Sequence, residues 1–355
     1  MSTEYKEYVP PRDFVAYGEE TPADCWPEGK KIVVSFVLNY EEGAEHTLWN
    51  DAGAPNAHSE QFLNETAYHR PGRPGKRDLY VESMYEYGTR AGLPRLLKLF
   101  KEFGWGWSTW TNARALEASA YYGKYLVDGG HDIACHGNRW ITQTELYEEK
   151  PQVALLTGKP GPEEEAAHVS QAIDRLRAAT GLQNVPTGWY YGRGSLYNKH
   201  ILERVHREKG VPLLYTSDTY ADDVPYYTES PFALDGEEDK GLLNIPYSLT
   251  NNDHRFYIRG AGFGNADDFF DLLKAEFDYM LEEGIEGRPK MMTIALHSRI
   301  IGRPGRIRAL KRFMQYVKEH EDQAWVTTRD KIAHHWREKY PYQGATRLLH
   351  AEKAV

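Results

Sequence analysis

The feature that most constrains the fold is a regular alternation of buried-strand patterns and helix patterns along the chain. The apolar, β-branched run KIVVSFVL at 31–38 is typical of a parallel strand that is covered on both faces. Comparable strand patterns occur at 105–110, 131–135, 186–191, 212–217, 242–247, 291–296 and 323–327. This alternation predicts a parallel sheet, and about seven strands suit a closed or nearly closed βα barrel.

Helix patterns separate the strands. Pro94 begins one helix and Gly104 ends it, which is the usual placement of these two residues. The helix at 163–180 carries an apolar stripe at helical spacing. Further helices are predicted at 113–128, 197–209, 266–283, 304–319 and 328–338. No G-x-G-x-x-G motif or phosphate-binding loop follows a strand, so the sequence does not indicate nucleotide binding.

The barrel pattern occupies residues 31–340 and is flanked by segments of different composition. Residues 1–30 are rich in Pro and charge, and we expect them to form an N-terminal arm packed over the barrel. Residues 341–355 are expected to form a loosely attached tail. Two segments without periodicity, 43–80 and 141–162, are long enough to predict functional rim loops. The sequence therefore predicts a single barrel domain with an arm, a tail and long rim loops.

Composition excludes several classes of protein. The 355 residues are 41% hydrophobic and 27% charged, which is ordinary for a globular chain. The net charge of −9 argues against general nucleic-acid binding. No apolar run reaches the roughly 18 residues of a membrane span, and MSTEYKEYVPPRDF lacks the apolar centre of a secretory signal. With two cysteines, these features lead us to expect a cytoplasmic protein without membrane or nucleic-acid partners.

Polar and ionisable residues follow the carboxyl ends of the predicted strands, where βα barrels place their catalytic groups. The candidates are Glu41, Glu42, His136, Trp140, Tyr191, Arg193, Asp218, His297 and Arg303. Any one of them alone has an ordinary structural explanation, such as a helix cap or a buried, hydrogen-bonded histidine. Their coincidence at several strand ends predicts one shared active site.

The order of these motifs resembles a known family. The matching segments are RDFVAYG, FVLNYEEG, ESMYEYGTRAG, IACHGNRW, GWYYGR, SDTYADDVPY and LHSRIIGRPGR. In this order they are similar to the polysaccharide deacetylase superfamily, carbohydrate esterase family 4, and most to its branch of metal-independent bacterial allantoinases and fungal chitin deacetylase-like proteins. The resemblance implies a deformed (β/α)7 barrel of the NodB-like type and hydrolysis of a C–N bond in an amide or ureide.

The sequence departs from the family at the metal site. Glu41 and Glu42 stand where the family has an Asp-Asp pair, and Trp140 stands where it has the second histidine of H-S/T-x-x-H. Catalytic zinc usually has three protein ligands and an open position. His136 and Glu42 are therefore candidate ligands, with His297 as a candidate third. Two alternatives stay open: a divalent metal such as Zn²⁺, or no metal.

The resemblance and the chemistry of amide hydrolysis together suggest roles for the candidates. Glu41 is expected to act as the base, with Glu42 as its alternate, and His297 to protonate the leaving amine. His136 would bind the metal or polarise the carbonyl. The remaining candidates would bind substrate, namely Trp140, Tyr191, Arg193, Asp218 and Arg303.

Three functions remain open at this point. N-deacetylation of short chitin-type N-acetylglucosamine oligosaccharides comes first, because the 25 Tyr and 9 Trp suit a sugar-binding rim. Ring opening of allantoin or a similar cyclic ureide is favoured by Trp140 and the lost ligand. A non-catalytic carbohydrate-binding protein is the third, and the intact Glu41 and His297 argue against it. We expect a small-molecule or oligosaccharide substrate and a homo-oligomer.

Overall fold

The structure, a computed structural model, describes residues 4–18, 21–60, 75–258 and 262–346. The strands are β1 (Ile32–Tyr40), β2 (Ser108–Thr111), β3 (Asp132–Cys135), β4 (Gly188–Trp189), β5 (Tyr215–Thr216), β6 (Tyr226–Thr228), β7 (Leu242–Asn244), β8 (Lys290–His297) and β9 (Ala324–Val326). The helices are α1 (Leu79–Tyr87), α2 (Leu93–Phe103), α3 (Ala113–Ala118), α4 (Tyr121–Asp128), α5 (Pro162–Thr180), α6 (Asn198–Lys209), α7 (Ala266–Ile285), α8 (Ser298–Ile301), α9 (Pro304–Lys318) and α10 (Arg329–Lys339). Strand and helix alternate along most of the chain, as predicted.

In the described part of the chain the nine strands form one sheet with the order β6-β7-β5-β4-β3-β2-β1-β8, and β9 pairs with β1. Every pair is parallel except β6–β7. The sheet curls, and backbone hydrogen bonds from Met291 to Asp223 and from Ala295 to Asn251 link β8 to the loops on the open side. This architecture confirms the deformed NodB-like barrel.

Two layers of side chains pack on the two faces of the sheet. In β1, Val34 and Phe36 face the helices on the outside, where Phe36 meets Phe100 at a ring-centroid distance of 5.2 Å. Val33 and Val37 face the inside of the barrel. Because successive side chains of a strand point to opposite faces, a strand buried on both faces is apolar throughout. That explains the continuous apolar run of β1.

Arg329 at the start of α10 fills the barrel interior and is fully buried. Its guanidinium donates to the carbonyls of Ile245 and Pro246 and to the hydroxyls of Ser217 and Thr293. These bonds use Nη1 and Nη2, while Nε has no hydrogen-bond partner among the described residues. A buried guanidinium is tolerated when most of its donors are satisfied in this way. Arg329 therefore ties the segment after β7 to β8 and holds the open side of the barrel together.

The structure differs from the sequence prediction in several elements. The helix predicted at 113–128 is two helices, because the chain turns at Ser119. The rim loop predicted at 43–80 ends at Asp78, which caps α1, and a π-helical turn follows α1. Residues 61–74 of that loop and 347–355 of the tail lie outside the described residues. No helix in the described ranges is long and apolar enough to cross a bilayer.

Candidate functional site

Three strands bring ionisable residues to one edge of the barrel. β1 pairs with β8 so that Asn39 lies opposite His297. β2 joins β1 to β3 in parallel register, so Glu41 after β1 and His136 after β3 reach the same edge. Together with His297 they line a cleft of about 310 Å³. The aromatic residues of its lining are Trp140, Tyr190, Tyr220 and Tyr247, and Arg193 and Arg255 also line it.

Glu41 is the central residue of the cleft and is completely buried. Its Oε2 lies 2.6 Å from Arg299 Nη2, and its Oε1 lies 3.3 Å from His136 Nε2 and 3.5 Å from His297 Nε2. Burial by itself would raise the pKa of Glu41, but the charges of Arg299 and His297 hold that pKa well below its usual range. Glu41 is therefore a carboxylate at neutral pH.

Glu41 retains unused hydrogen-bonding capacity. Among the described residues, neither carboxylate oxygen receives an aligned hydrogen bond, although Arg299 forms a close ion pair with it. Buried polar atoms are usually satisfied, because leaving one unpaired costs about 1–3 kcal/mol. The carboxylate can therefore accept hydrogen bonds from a water or an N–H group of a molecule in the cleft.

His297 is held and charged by Asp253. Its Nδ1 lies 2.6 Å from Asp253 Oδ1, and because a carboxylate only accepts, Nδ1 carries a hydrogen. Asp253 Oδ2 accepts the backbone N–H groups of His297 and Ile301 at 2.7 and 3.1 Å. Burial would lower the pKa of His297, but Asp253 and Glu41 raise it to about 9. At neutral pH, His297 therefore presents a transferable proton at Nε2.

His136 is held by a backbone carbonyl, whereas His297 is held by a carboxylate. Its Nδ1 lies 2.7 Å from the Tyr190 carbonyl, so Nδ1 is a donor and Nε2 faces Glu41. The Tyr190 ring stacks on the imidazole at 5.2 Å, and the Trp140 ring lies 4.8 Å from it on a tilted plane. Trp140 and Tyr190 thus fix the ring orientation, and Nε2 is the ring nitrogen of His136 that faces Glu41 and the cleft.

Glu42 points away from the cleft. Its Oε1 accepts the Ser298 hydroxyl at 2.6 Å and the Arg299 backbone N–H at 3.1 Å. A Cβ on Gly88 would lie 2.4 Å from the same oxygen, so Gly88 provides the space that the carboxylate needs. Glu42 therefore holds α8 in place, and α8 presents Arg299 to Glu41.

The contact between the π-helical turn and α8 gives a first prediction. A Cβ at Gly92 would lie 2.0 Å from the Ser298 carbonyl oxygen, so Gly92→Ala must displace backbone that carries Arg299. We expect a loss of about 1–3 kcal/mol in the free energy of unfolding, measured by chemical denaturation, together with reduced turnover. At Gly305, a Cβ would meet no described atom within 4 Å, so Gly305→Ala is the matched control. Equal stability of the two variants would contradict the contact.

The residues present do not fit a divalent metal. Glu42, expected to join His136 as a ligand, is occupied by Ser298 and Arg299. Glu41 already faces the guanidinium of Arg299, and a second cation beside it would be repelled. Within the described residues, no group of three His, Cys, Asp or Glu side chains is arranged to hold a metal ion. The expected Zn²⁺ ligand set is therefore not formed.

Trp140 and Arg193 line the cleft as predicted, with the guanidinium 4.1 Å from the Trp140 ring centre. Tyr191 does not line it: its side chain is buried in the outer core, and the adjacent Tyr190 faces the cleft instead. The reason is alternation, because β4 points Trp189 outward and the next side chain inward. Tyr190, and not the predicted Tyr191, therefore contributes to the cleft wall.

Two other predicted substrate-binding residues, Asp218 and Arg303, are not among the residues that line the cleft. Asp218 accepts the backbone N–H groups of Tyr191 and Gly192, so it shapes the loop behind the cleft wall. The guanidinium of Arg303 lies 3.6 Å from the ring centre of Tyr87, and Arg303 lines a different depression. Of the five predicted substrate-binding residues, only Trp140 and Arg193 line the cleft.

Sequence reasoning did not identify Asp253 and His254 as residues of the site, and it assigned no role to Arg299. His254 lines the cleft, and burial together with the positive His297 and Arg299 lowers its pKa to about 4, so it is neutral. The available signals were the polar run NNDH after the strand at 242–247 and the short spacing of Arg299 from His297. Neither signal says which side chain turns into the barrel.

Comparison with known proteins decides the family. A polysaccharide deacetylase homologue of Schizosaccharomyces pombe is 38% identical over 330 residues, which cover 92% of this chain and 96% of that protein. The chain belongs to the polysaccharide deacetylase family. A peptidoglycan deacetylase of Helicobacter pylori is 20% identical over 266 residues, covering 68% of this chain and 82% of that protein. No family model matches the chain.

Two solved structures are similar over almost the whole chain. One is a polysaccharide deacetylase homologue of Pseudomonas aeruginosa PAO1 and the other is the allantoinase PuuE. Each is 40% identical with a TM-score of 0.78, and the matches cover 94% and 95% of this chain and 100% of each neighbour. Family and fold together make this chain a polysaccharide deacetylase-like hydrolase.

Proposed function

We propose that the chain hydrolyses a ring amide of a cyclic ureide such as allantoin, without a metal ion. The observation that carries the proposal is the buried Glu41 carboxylate between Arg299 and a protonated His297. A site without a Lewis acid suits an activated ring amide better than a stable acetamide. The likeness to PuuE supports the same choice, which places ring opening ahead of N-deacetylation.

In this proposal, Glu41 and His136 act as one base. The low pKa of Glu41 makes it a weak proton acceptor on its own. Because His136 Nε2 lies 3.3 Å from Oε1, a proton taken from water is shared between the two atoms. The water oxygen bonds to the ring carbonyl carbon as this proton leaves it.

His297, whose Nε2 approaches the same oxygen of Glu41 as His136 does, completes the reaction. Its positive charge stabilises the oxyanion that develops on the ring carbonyl. When the C–N bond breaks, Nε2 gives its proton to the leaving nitrogen, and Asp253 keeps the ring oriented through Nδ1. The products are a carboxylic acid and an amine or urea nitrogen, so one water is consumed and no cofactor is required. The proton held by Glu41 and His136 then returns to His297, whose Nε2 lies 3.5 Å from Glu41 Oε1, and this restores the starting state.

The test is hydrolysis of allantoin by the full chain after exhaustive dialysis against a chelator, with metal content measured by elemental analysis. We expect the metal-depleted protein to retain its full turnover number and Glu41→Gln to lose most of it. Activity that vanishes on dialysis and returns with Zn²⁺ would contradict the metal-free site. Absence of ring opening in every preparation would contradict the substrate.

N-deacetylation of short N-acetylglucosamine oligomers is the second candidate. It is favoured by the aromatic walls of the cleft, because Trp140, Tyr190 and Tyr220 offer flat faces and polar tips to a sugar ring. Acetate release from such oligomers, with allantoin untouched, would replace the first proposal by this one. Oligomer binding without release of acetate would instead indicate a carbohydrate-binding protein.

A further inference from the structure

The charge of the cleft differs in sign from the charge of the chain. The protein carries a net charge of −9, yet Glu41 is the single acidic side chain among the residues that line the cleft. His297, with a pKa of about 9, offsets that carboxylate. Arg193 and Arg255 add two positive charges to the lining. The cleft is therefore cationic on an anionic protein.

The two arginines are held by aromatic rings and carbonyls rather than by carboxylates. Arg193 lies over the ring of Trp140 at 4.1 Å and is exposed to solvent. Arg255 lies over Phe263 at 4.7 Å and donates to the Thr250 carbonyl at 3.1 Å. No ion pair joins either arginine to an acidic side chain within the part of the chain that the structure describes. Both guanidinium groups therefore have N–H donors that can bind an anion in the cleft.

We propose that Arg193 and Arg255 bind a carboxylate of the substrate, so that the enzyme acts on a small amide or ureide that is itself an anion. Guanidinium groups bind carboxylates through paired N–H donors, and a partly enclosed cleft strengthens that attraction relative to open water. Chitin-type oligomers carry no carboxylate. Allantoin has the ring amide but not the anion, so an anionic ureide is expected to be a better substrate than allantoin. This inference rests on the proposed function for the reaction, but the arginine pair by itself selects the charge of the ligand.

Binding distinguishes this proposal from the proposed reaction. The probes are hydantoin-5-acetate and its neutral amide, which differ in the carboxylate, and affinity is measured by calorimetry independently of turnover. We expect the acid to bind roughly tenfold or more tightly than the amide at low salt, since one ion pair in a partly buried site is worth about 1.4 kcal/mol or more. The preference should shrink as salt is raised.

Variants locate the anion-binding groups. Arg193→Gln and Arg255→Gln together should abolish the preference for the acid. Arg207→Gln is the matched control, because Arg207 also lies over an aromatic ring, Phe232, but is paired with Glu237 away from the cleft. Equal binding of acid and amide, binding of neither probe, or a preference that survives the double variant would overturn the proposal. Tight, arginine-dependent binding without hydrolysis of any ureide would support it while refuting the proposed reaction.

Discussion

Glu41→Gln is expected to lower the turnover number by roughly a thousandfold, because a general base typically contributes 10²–10⁴-fold. The amide keeps the shape of the side chain but removes both the negative charge beside His297 and the proton acceptor. It also leaves Arg299, which lies 3.6 Å from Glu42, without its close partner at 2.6 Å. Breaking a buried ion pair in this way costs about 3–5 kcal/mol, so a lower free energy of unfolding is expected as well.

Loss of stability must be separated from loss of chemistry in this experiment. Glu165→Gln provides the control, because Glu165 is also fully buried but accepts hydroxyl groups of Tyr147 and Ser195 at 2.6 and 2.5 Å outside the cleft. We expect Glu165→Gln to unfold more easily while keeping its turnover number. Steady-state kinetics on both variants give the turnover numbers, and denaturant melts give the free energies of unfolding. A Glu41→Gln enzyme with near-normal turnover would refute the assignment of Glu41.

The barrel was predictable because burial patterns are local. The apolar run at 31–38 predicts β1 without knowledge of its neighbours, and the strand continues to Tyr40 only because Asn39 and Tyr40 pair with Trp110 and Thr111 of β2. The helix α1 was not predictable in the same way. Its sequence has no clear period, and its ending in a π-helical turn depends on packing against Glu42 and Ser298.

The site residues that directly follow a strand could be predicted from the sequence. Glu41, His136 and His297 follow directly from the positions of β1, β3 and β8. Arg299 and Asp253 depend on turns instead: the four-residue helix Ser298–Ile301 returns the guanidinium to Glu41, and the loop after β7 brings Asp253 beneath His297. Such turns are set by long-range contacts, which a strand pattern does not contain.

Asp253→Asn is expected to reduce turnover by about a thousandfold or more while leaving the barrel intact. An asparagine can still accept the backbone N–H groups of His297 and Ile301 through its one oxygen, but its amide then donates toward Nδ1. His297 must then give up the hydrogen on Nδ1, keep the one on Nε2, and lose its positive charge. Replacing the aspartate that orients a catalytic histidine by asparagine costs about 10⁴-fold in serine proteases for the same reason.

The same substitution should change how stability depends on pH. In the folded chain the pKa of His297 is about 9, against about 6.5 for an unperturbed histidine. Because the folded-state value is the higher one, the stabilisation is complete below about pH 6.5 and is lost as the pH rises through about 9. The wild type should therefore lose about 3 kcal/mol of unfolding free energy over that interval that Asp253→Asn does not lose.

Comparing the two proteins at each pH removes the contribution of His46, whose pKa is also raised to about 9, by Asp51 and Glu145 against the effect of burial. Denaturant melts from about pH 6 to about pH 10 give the difference directly. If Asp253 acts through His297, the kinetic losses of Asp253→Asn and His297→Gln should also fail to add, because either change already removes the protonated imidazole. Additive losses, together with parallel stability curves, would mean that Asp253 only supports the backbone of α8 and that another group protonates the leaving nitrogen.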